Sequence, residues 1–214
     1  MNTLDYVKEK GTLQLNKASE PKEYNCYYYI VDGKKLSFED FELGPITCFE
    51  VLEKTSNFFD KDSYAIIISR CRHEEWLYDS VIANVFENKK TVVWKLYNIH
   101  NEKELIAEYE FDAQLHYEIM KDITEDAKEE IFDENFSQNK LPYLFYWKNG
   151  ETHPELFEQE TYHEEINNYW KYQAEKNNNE PEYFEDVRNN DYYRIKNGKW
   201  EEVAELNWPP HPYI

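Results

Sequence analysis

Glycine is scarce and scattered: the chain has five, Gly11, Gly33, Gly44, Gly150 and Gly198. A phosphate-cradling loop or a dinucleotide fingerprint needs several glycines in one turn, so that backbone N–H groups can approach the phosphates. Both are excluded as motifs, and the nucleophile elbow G-x-S-x-G is missing as well. Cysteine is nearly as rare. Cys26, Cys48 and Cys71 are an odd number at wide spacing, which suits reduced thiols rather than a disulfide framework. Long apolar runs are lacking too. None approaches the ~18 residues of a membrane span, and Met1 to Glu20 are polar, without the apolar core of a secretory leader. The expected location is the cytoplasm. Base is also in short supply: 24 Lys and Arg face 44 Asp and Glu, a formal net charge of −20. Such a charge repels nucleic-acid phosphates and anionic lipid. It favours fast, salt-sensitive association with a basic protein, although it also serves solubility alone.

Aromatic residues are plentiful, at 17% of the chain with 19 tyrosines. Disordered acidic chains are poor in aromatics because they cannot bury enough apolar surface to offset the entropy of ordering, so this chain is expected to fold. Its 214 residues suffice for a core without disulfides or metals. The expected organisation is one acidic α+β domain over residues 1–214, with a proline- and aromatic-rich tail over 204–214. The abundance of Asn, Lys, Ile and Tyr hints at an AT-rich coding sequence, as in some bacteria and phages.

Periodicity places the elements. Tyr24 to Val31 is aromatic and β-branched, Asp32-Gly33 tolerates positive φ, and Lys34 to Phe38 returns: a hairpin. Gly44-Pro45 predicts a helix start, with Ile46, Phe49, Leu52 and Phe59 along its apolar side. Tyr64 to Ser69 carries an unbroken apolar run suited to a central strand. Ser80 to Phe86, Thr91 to Ile99 and Leu105 to Phe111 complete an antiparallel meander. Asp112 can cap a helix to about Asn135, with a core stripe of Ile119, Met120, Ile123, Ala127 and Ile131. Leu141 to Trp147 reads as a strand. Thr152-His153-Pro154-Glu155 fits a capping box that opens a helix running to about Lys176. Tyr192 to Lys196 and Lys199 to Val203 predict a last hairpin around Asn197-Gly198. Sheet and helix follow each other without a βαβ rhythm, so the fold class is α+β: an antiparallel sheet, meander plus hairpins, with two or three helices packed on it.

Tests for chemistry come out negative. His73-Glu74-Glu75 and His163-Glu164-Glu165 begin like zinc-protease helices, but Leu77 and Asn167 stand where the second His belongs. No metal and no cofactor are therefore expected. Cys71, beside Arg72 and His73, is the best thiol nucleophile on paper, since cations lower a thiol pKa. Free cysteines are more often buried small hydrophobes. What remains is a helix face. Glu118, Asp122, Glu125, Asp126, Glu129 and Glu130 crowd the polar side of the 112–135 helix, with Lys128 the lone base between Asp122 and Glu134. Like charges on neighbouring turns repel, so these six are the candidate partner-binding residues. The tail from Trp208 to Ile214 is the second candidate, an extended polyproline-type segment.

The expectation is a non-enzymatic, acidic protein-binding inhibitor of the immunity type, which occludes the active site of a basic toxin or nuclease. The alternatives are a nucleic-acid mimic directed against restriction or CRISPR enzymes, and an enzyme whose site is assembled from unlinked residues such as Cys71 and His73.

Overall fold

A computed structural model describes residues 1–13, 22–36, 44–56, 64–70, 80–98, 105–136, 140–147, 151–177, 181–189, 191–196 and 199–203. Among the described residues, three helices pack on two antiparallel sheets. The smaller sheet is the hairpin of β1 (Leu4–Leu13) and β2 (Lys22–Val31), with the two-residue β3 (Lys34–Lys35) on its edge. Asp32 and Gly33 turn β2 into β3 with φ of 51° and 74°, the paired left-handed conformation of a tight hairpin turn. The larger sheet has ten strands in the order β13-β12-β11-β9-β10-β4-β5-β6-β7-β8. β4 (Lys54–Ser56), β5 (Tyr64–Arg70), β6 (Ser80–Glu87), β7 (Thr91–Asn98) and β8 (Leu105–Asp112) make the meander, and β9 (Lys140–Tyr146), β10 (Thr152–Glu158), β11 (Tyr183–Asp186), β12 (Asp191–Lys196) and β13 (Lys199–Val203) make the other half.

The meander, the long helix α2 (Ala113–Phe136) and the last hairpin lie where periodicity puts them. Asp112 caps α2, its carboxylate accepting from the N–H groups of Gln114 (3.0 Å) and Leu115 (3.1 Å). Two expected helix starts are corrected. The first helix, α1, is only Cys48–Leu52, because residues 44–46 lace the sheets together. Ile46 bridges Tyr27 of β2, and Gly44 bridges Arg70 of β5. Ile46 is fully buried there, as an isolated bridge residue between the strands. The Phe59 contact lies outside the described residues. Thr152–Glu158 is a strand, not a helix start. Its Pro154 stands opposite Leu144 of β9, and β10 meets β4 only at Thr152. Beyond that residue the missing proline N–H interrupts no ladder on the β4 side. Helix α3 (Tyr162–Asn177) starts one turn signal later, where the Thr161 hydroxyl donates to Glu165 (2.5 Å).

Two apolar cores result. The larger lies between the meander, the β1–β2 hairpin, α1 and α2, around Tyr29, Trp94, Phe111, Ile123 and Ile131. Trp94 meets Tyr29 and Phe111 edge-on, at 5.2 and 5.0 Å between ring centroids, and its indole N–H donates to buried His116 of α2 (2.9 Å). The N-terminus laces the same core shut: the Asn2 N–H donates to the Glu110 carbonyl at 2.6 Å, and the Glu110 N–H donates to the Asn2 side chain at 2.9 Å. The smaller core lies on the opposite face of the β9–β13 half, under α3, around Phe145, Phe184, Ile166 and Trp170. Among the described residues no helix is long and apolar enough to cross a membrane.

Candidate functional site

The helix that carries the six predicted acids buries Ile123, Ala127 and Ile131 completely. Their polar neighbours therefore divide into two rows. The first row turns to the chain's own hairpin. Tyr6 donates to Asp122 (3.4 Å), Lys8 pairs with Asp126, and Asn25 donates to Glu130. Tyr6 and Lys8 are two residues apart on β1, and Asp122 and Asp126 four apart on α2. Two strand residues advance ~6.8 Å and four helical residues ~6.0 Å, so the partners stay matched along the contact. The second row, Glu118, Glu125 and Glu129, faces solvent beside Lys121. Glu118 accepts from Gln114 (2.8 Å). Glu125 and Glu129 have no cation partner among the described residues. Lys128 points the other way, into the fold, and pairs with Glu185 through both carboxylate oxygens at 2.9 Å. Of the six predicted acids, three thus serve the hairpin, with Asp122 doing so while still exposed, and three are free of it.

A second concentration of ionisable groups was not legible in the sequence. The two halves of the large sheet meet through one residue pair, Thr152 of β10 and Lys54 of β4, reinforced where the Thr152 hydroxyl donates to the Leu52 carbonyl (2.5 Å). On the α2 side of this seam, Lys54 lies 4.8 Å over the Tyr64 ring, and the Tyr64 hydroxyl donates to Glu87 (2.7 Å). Burial pushes the Lys54 amine below the usual lysine range; Glu87 opposes that shift and Lys128 adds to it. Close by, Glu185 is 1% exposed and accepts from Tyr146 (2.5 Å) as well as from Lys128. Burial first, then Glu185, holds Tyr146 in its neutral form well beyond the usual tyrosine range.

On the α3 side, Glu53 and Glu155 both have carboxyls pushed up by burial. Arg70 opposes the shift at Glu53, where it lies 3.6 Å from the carboxylate and 3.2 Å from Glu50. Tyr169 of α3 donates to Glu155 and accepts from Gln173. His153, also on this face of β10, stands edge-on to Trp147 at 4.8 Å, and burial lowers its pKa. The physical reason for the gathering is topological. The larger core runs across the seam to Leu144 and Tyr146 of β9, the smaller lies only under α3, and the polar side chains gather where the strands of the two halves adjoin. Sequence spacing carries no sign of it, because Lys54, Glu87, Lys128 and Glu185 come from four separate elements.

Among the described residues, no group of three or more His, Cys, Asp or Glu is placed to hold a metal ion. Cys26 and Cys48 are buried thiols, in no disulfide. Cys71, Arg72, His73 and the tail from Trp208 to Ile214 lie outside the described residues. His163 stacks on Trp200 at 5.4 Å between ring centroids. No protein-family model matches the chain, and no curated protein and no solved structure matches it.

Proposed function

We propose that the protein is an acidic inhibitor of the immunity type, which docks on a basic toxin or nucleic-acid enzyme through the outward face of α2. The observation that carries this reading is the solvent-facing row of Glu118, Glu125 and Glu129, flanked by exposed Asp122, on a helix of 24 residues whose apolar stripe is spent on the core. Such a row raises the encounter rate with a cationic cleft and fixes orientation more than it adds affinity. The exposed large hydrophobics among the described residues, Met1, Leu105 and Tyr172, all lie off α2. The helix therefore acts as the steering surface, and desolvated anchors belong to other parts of the interface.

The test is nuclease-treated affinity capture from the source organism and its neighbours, followed by an activity assay on any basic enzyme retained. The expected result is one enzyme, inhibited by the wild type, with association slowed at least about tenfold by Glu125→Lys with Glu129→Lys and by salt well above physiological strength. Association of the charge-reversed variant at the wild-type rate overturns the reading. Inhibition of several unrelated nucleases, relieved by excess duplex DNA, replaces it with nucleic-acid mimicry.

A further inference from the structure

β8 stands last in the ten-stranded order, so among the described residues its outer edge carries no ladder. The chain's own N-terminus marks which groups that edge offers. The Glu110 carbonyl accepts from the Asn2 N–H at 2.6 Å, and the Glu110 N–H donates to the Asn2 side chain at 2.9 Å. Bonding groups along an antiparallel strand point alternately to one neighbour and to the other. Glu108 lies two residues away with no register shift between, so its N–H and C=O also point outward. Among the described residues no backbone bond from another element reaches them. Ala107, Tyr109 and Phe111 turn to the core, which leaves Glu108 and Glu110 on the far face, both exposed. The bulge at Ile106 brings Leu105 to that face as well, because Leu105 pairs with Tyr97 as Glu108 pairs with Lys95, and Tyr97 and Lys95 are two residues apart on β7. Leu105 is 46% exposed and the Glu108 side chain 51%.

We propose that the edge of β8 from Leu105 to Glu108 binds an extended, basic peptide segment as an added antiparallel strand. Asn2 closes the site at Glu110. A residue directly opposite Glu108 on such a strand exchanges both ladder bonds with it and shares its face. A Lys or Arg there supplies two backbone bonds and a charge pair at once. The sheet already contains that charge pairing on the inner side of β8: Lys95 of β7, opposite Glu108, lies 3.5 Å from its carboxylate. An apolar residue two places along the added strand meets exposed Leu105, as Tyr97 stands opposite it in β7. Charge decides between occupants. A second copy of β8 would set Glu108 and Glu110 against like charge, and a chain of net charge −20 repels acidic segments generally. A basic strand meets neither penalty. The edge lies on a different element from the α2 row, and the site stands if the α2 reading fails.

The test uses the full chain and an end-blocked peptide of about ten residues, alternating Lys and Val. Binding is read by fluorescence anisotropy and by hydrogen exchange at the Glu108 amide. The expected result is binding that slows exchange of that amide. Methylating the backbone nitrogens of the lysines keeps every charge and removes the donors that face β8. It is expected to weaken binding at least about tenfold, through the lost ladder bonds. Glu108→Lys should weaken binding likewise, whereas Glu125→Lys with Glu129→Lys should leave the Glu108 amide slowed as in the wild type. Equal binding of the methylated peptide, unchanged exchange at Glu108 with the peptide bound, or no binding up to about 1 mM overturns the proposal. So does exchange at Glu108 that slows with protein concentration in the absence of peptide, which assigns the edge to a second copy. None of these outcomes bears on association through α2.

Discussion

Thr152 and Lys54 are the single residue pair through which β10 meets β4, and the Thr152 hydroxyl ties the same point to the Leu52 carbonyl at 2.5 Å. The strand pairing at the waist of the ten-stranded sheet is thus one pair of residues, and the waist is spanned besides by the larger core, which takes in Leu144 and Tyr146 of β9, and by α2, which packs against β7 and β8 at its start and sends Lys128 across to β11 at its far end. Replacing Thr152 by Val keeps the shape and removes the buried hydroxyl. The expected loss is about 1–3 kcal/mol, the cost of a buried acceptor left without its donor. Urea unfolding should show it as a lower midpoint at unchanged slope.

Lys128 and Glu185 make the stronger tie. Glu185 is nearly inaccessible and Lys128 little less so, with side-chain exposures of 1% and 14%. Lys128→Met leaves the carboxylate buried with Tyr146 as its one remaining side-chain hydrogen-bond partner among the described residues, so the expected loss is about 3–5 kcal/mol. The double change Lys128→Met with Glu185→Met removes both charges and should recover most of that loss. A double-mutant cycle on denaturation free energies measures the coupling, and a double variant as unstable as the single one contradicts this account.

The division between legible and illegible parts of this fold follows the range of the forces. The β5–β8 meander, the Asp32-Gly33 turn and α2 with its stripe of Ile123, Ala127 and Ile131 are written in local periodicity. Strand β1 is not, because Lys8, Glu9 and Lys10 mask its alternation and Leu4 is the one buried residue among those from Leu4 to Gly11. It forms because Tyr6 and Lys8 find α2 more than a hundred residues away. Thr152-His153-Pro154-Glu155 carries a helix signal that tertiary pairing with β9 overrides. The acid crowding on α2 was visible in the sequence, whereas its split into a hairpin-facing row and a solvent-facing row depends on β1 and was not.

Asn84 offers a gain in stability. It is fully buried on β6, between Ala65 and Lys95 in register, and neither its amide nitrogen nor its oxygen has a hydrogen-bond partner among the described residues. An unsatisfied buried amide costs about 1–3 kcal/mol. Asn84→Leu, similar in volume, is expected to raise the unfolding free energy by a comparable amount, measured by urea unfolding at fixed pH and salt. A loss of stability would mean that the amide is satisfied in solution by water.

The tyrosines make the protein labile to alkali. Burial, helped by Asp122 and Asp126, pushes Tyr6 up to about 12, and burial with Glu185 and Glu125 does the same to Tyr192. Burial raises Tyr27, Tyr29, Tyr143, Tyr146 and Tyr169 further. These groups hold their protons in the native state above the unfolded value of 10.0. Between the two values the native state binds more protons than the unfolded chain, so stability falls as pH rises. The contribution is complete below pH ~10 and is lost progressively above it. Phenolate absorbance should therefore rise in two stages: exposed side chains such as Tyr172 titrate first and reversibly, and the buried set appears only with loss of the folded circular dichroism signal. A single titration of all 19 tyrosines near pH 10, with the fold intact, would contradict the packing described for both cores.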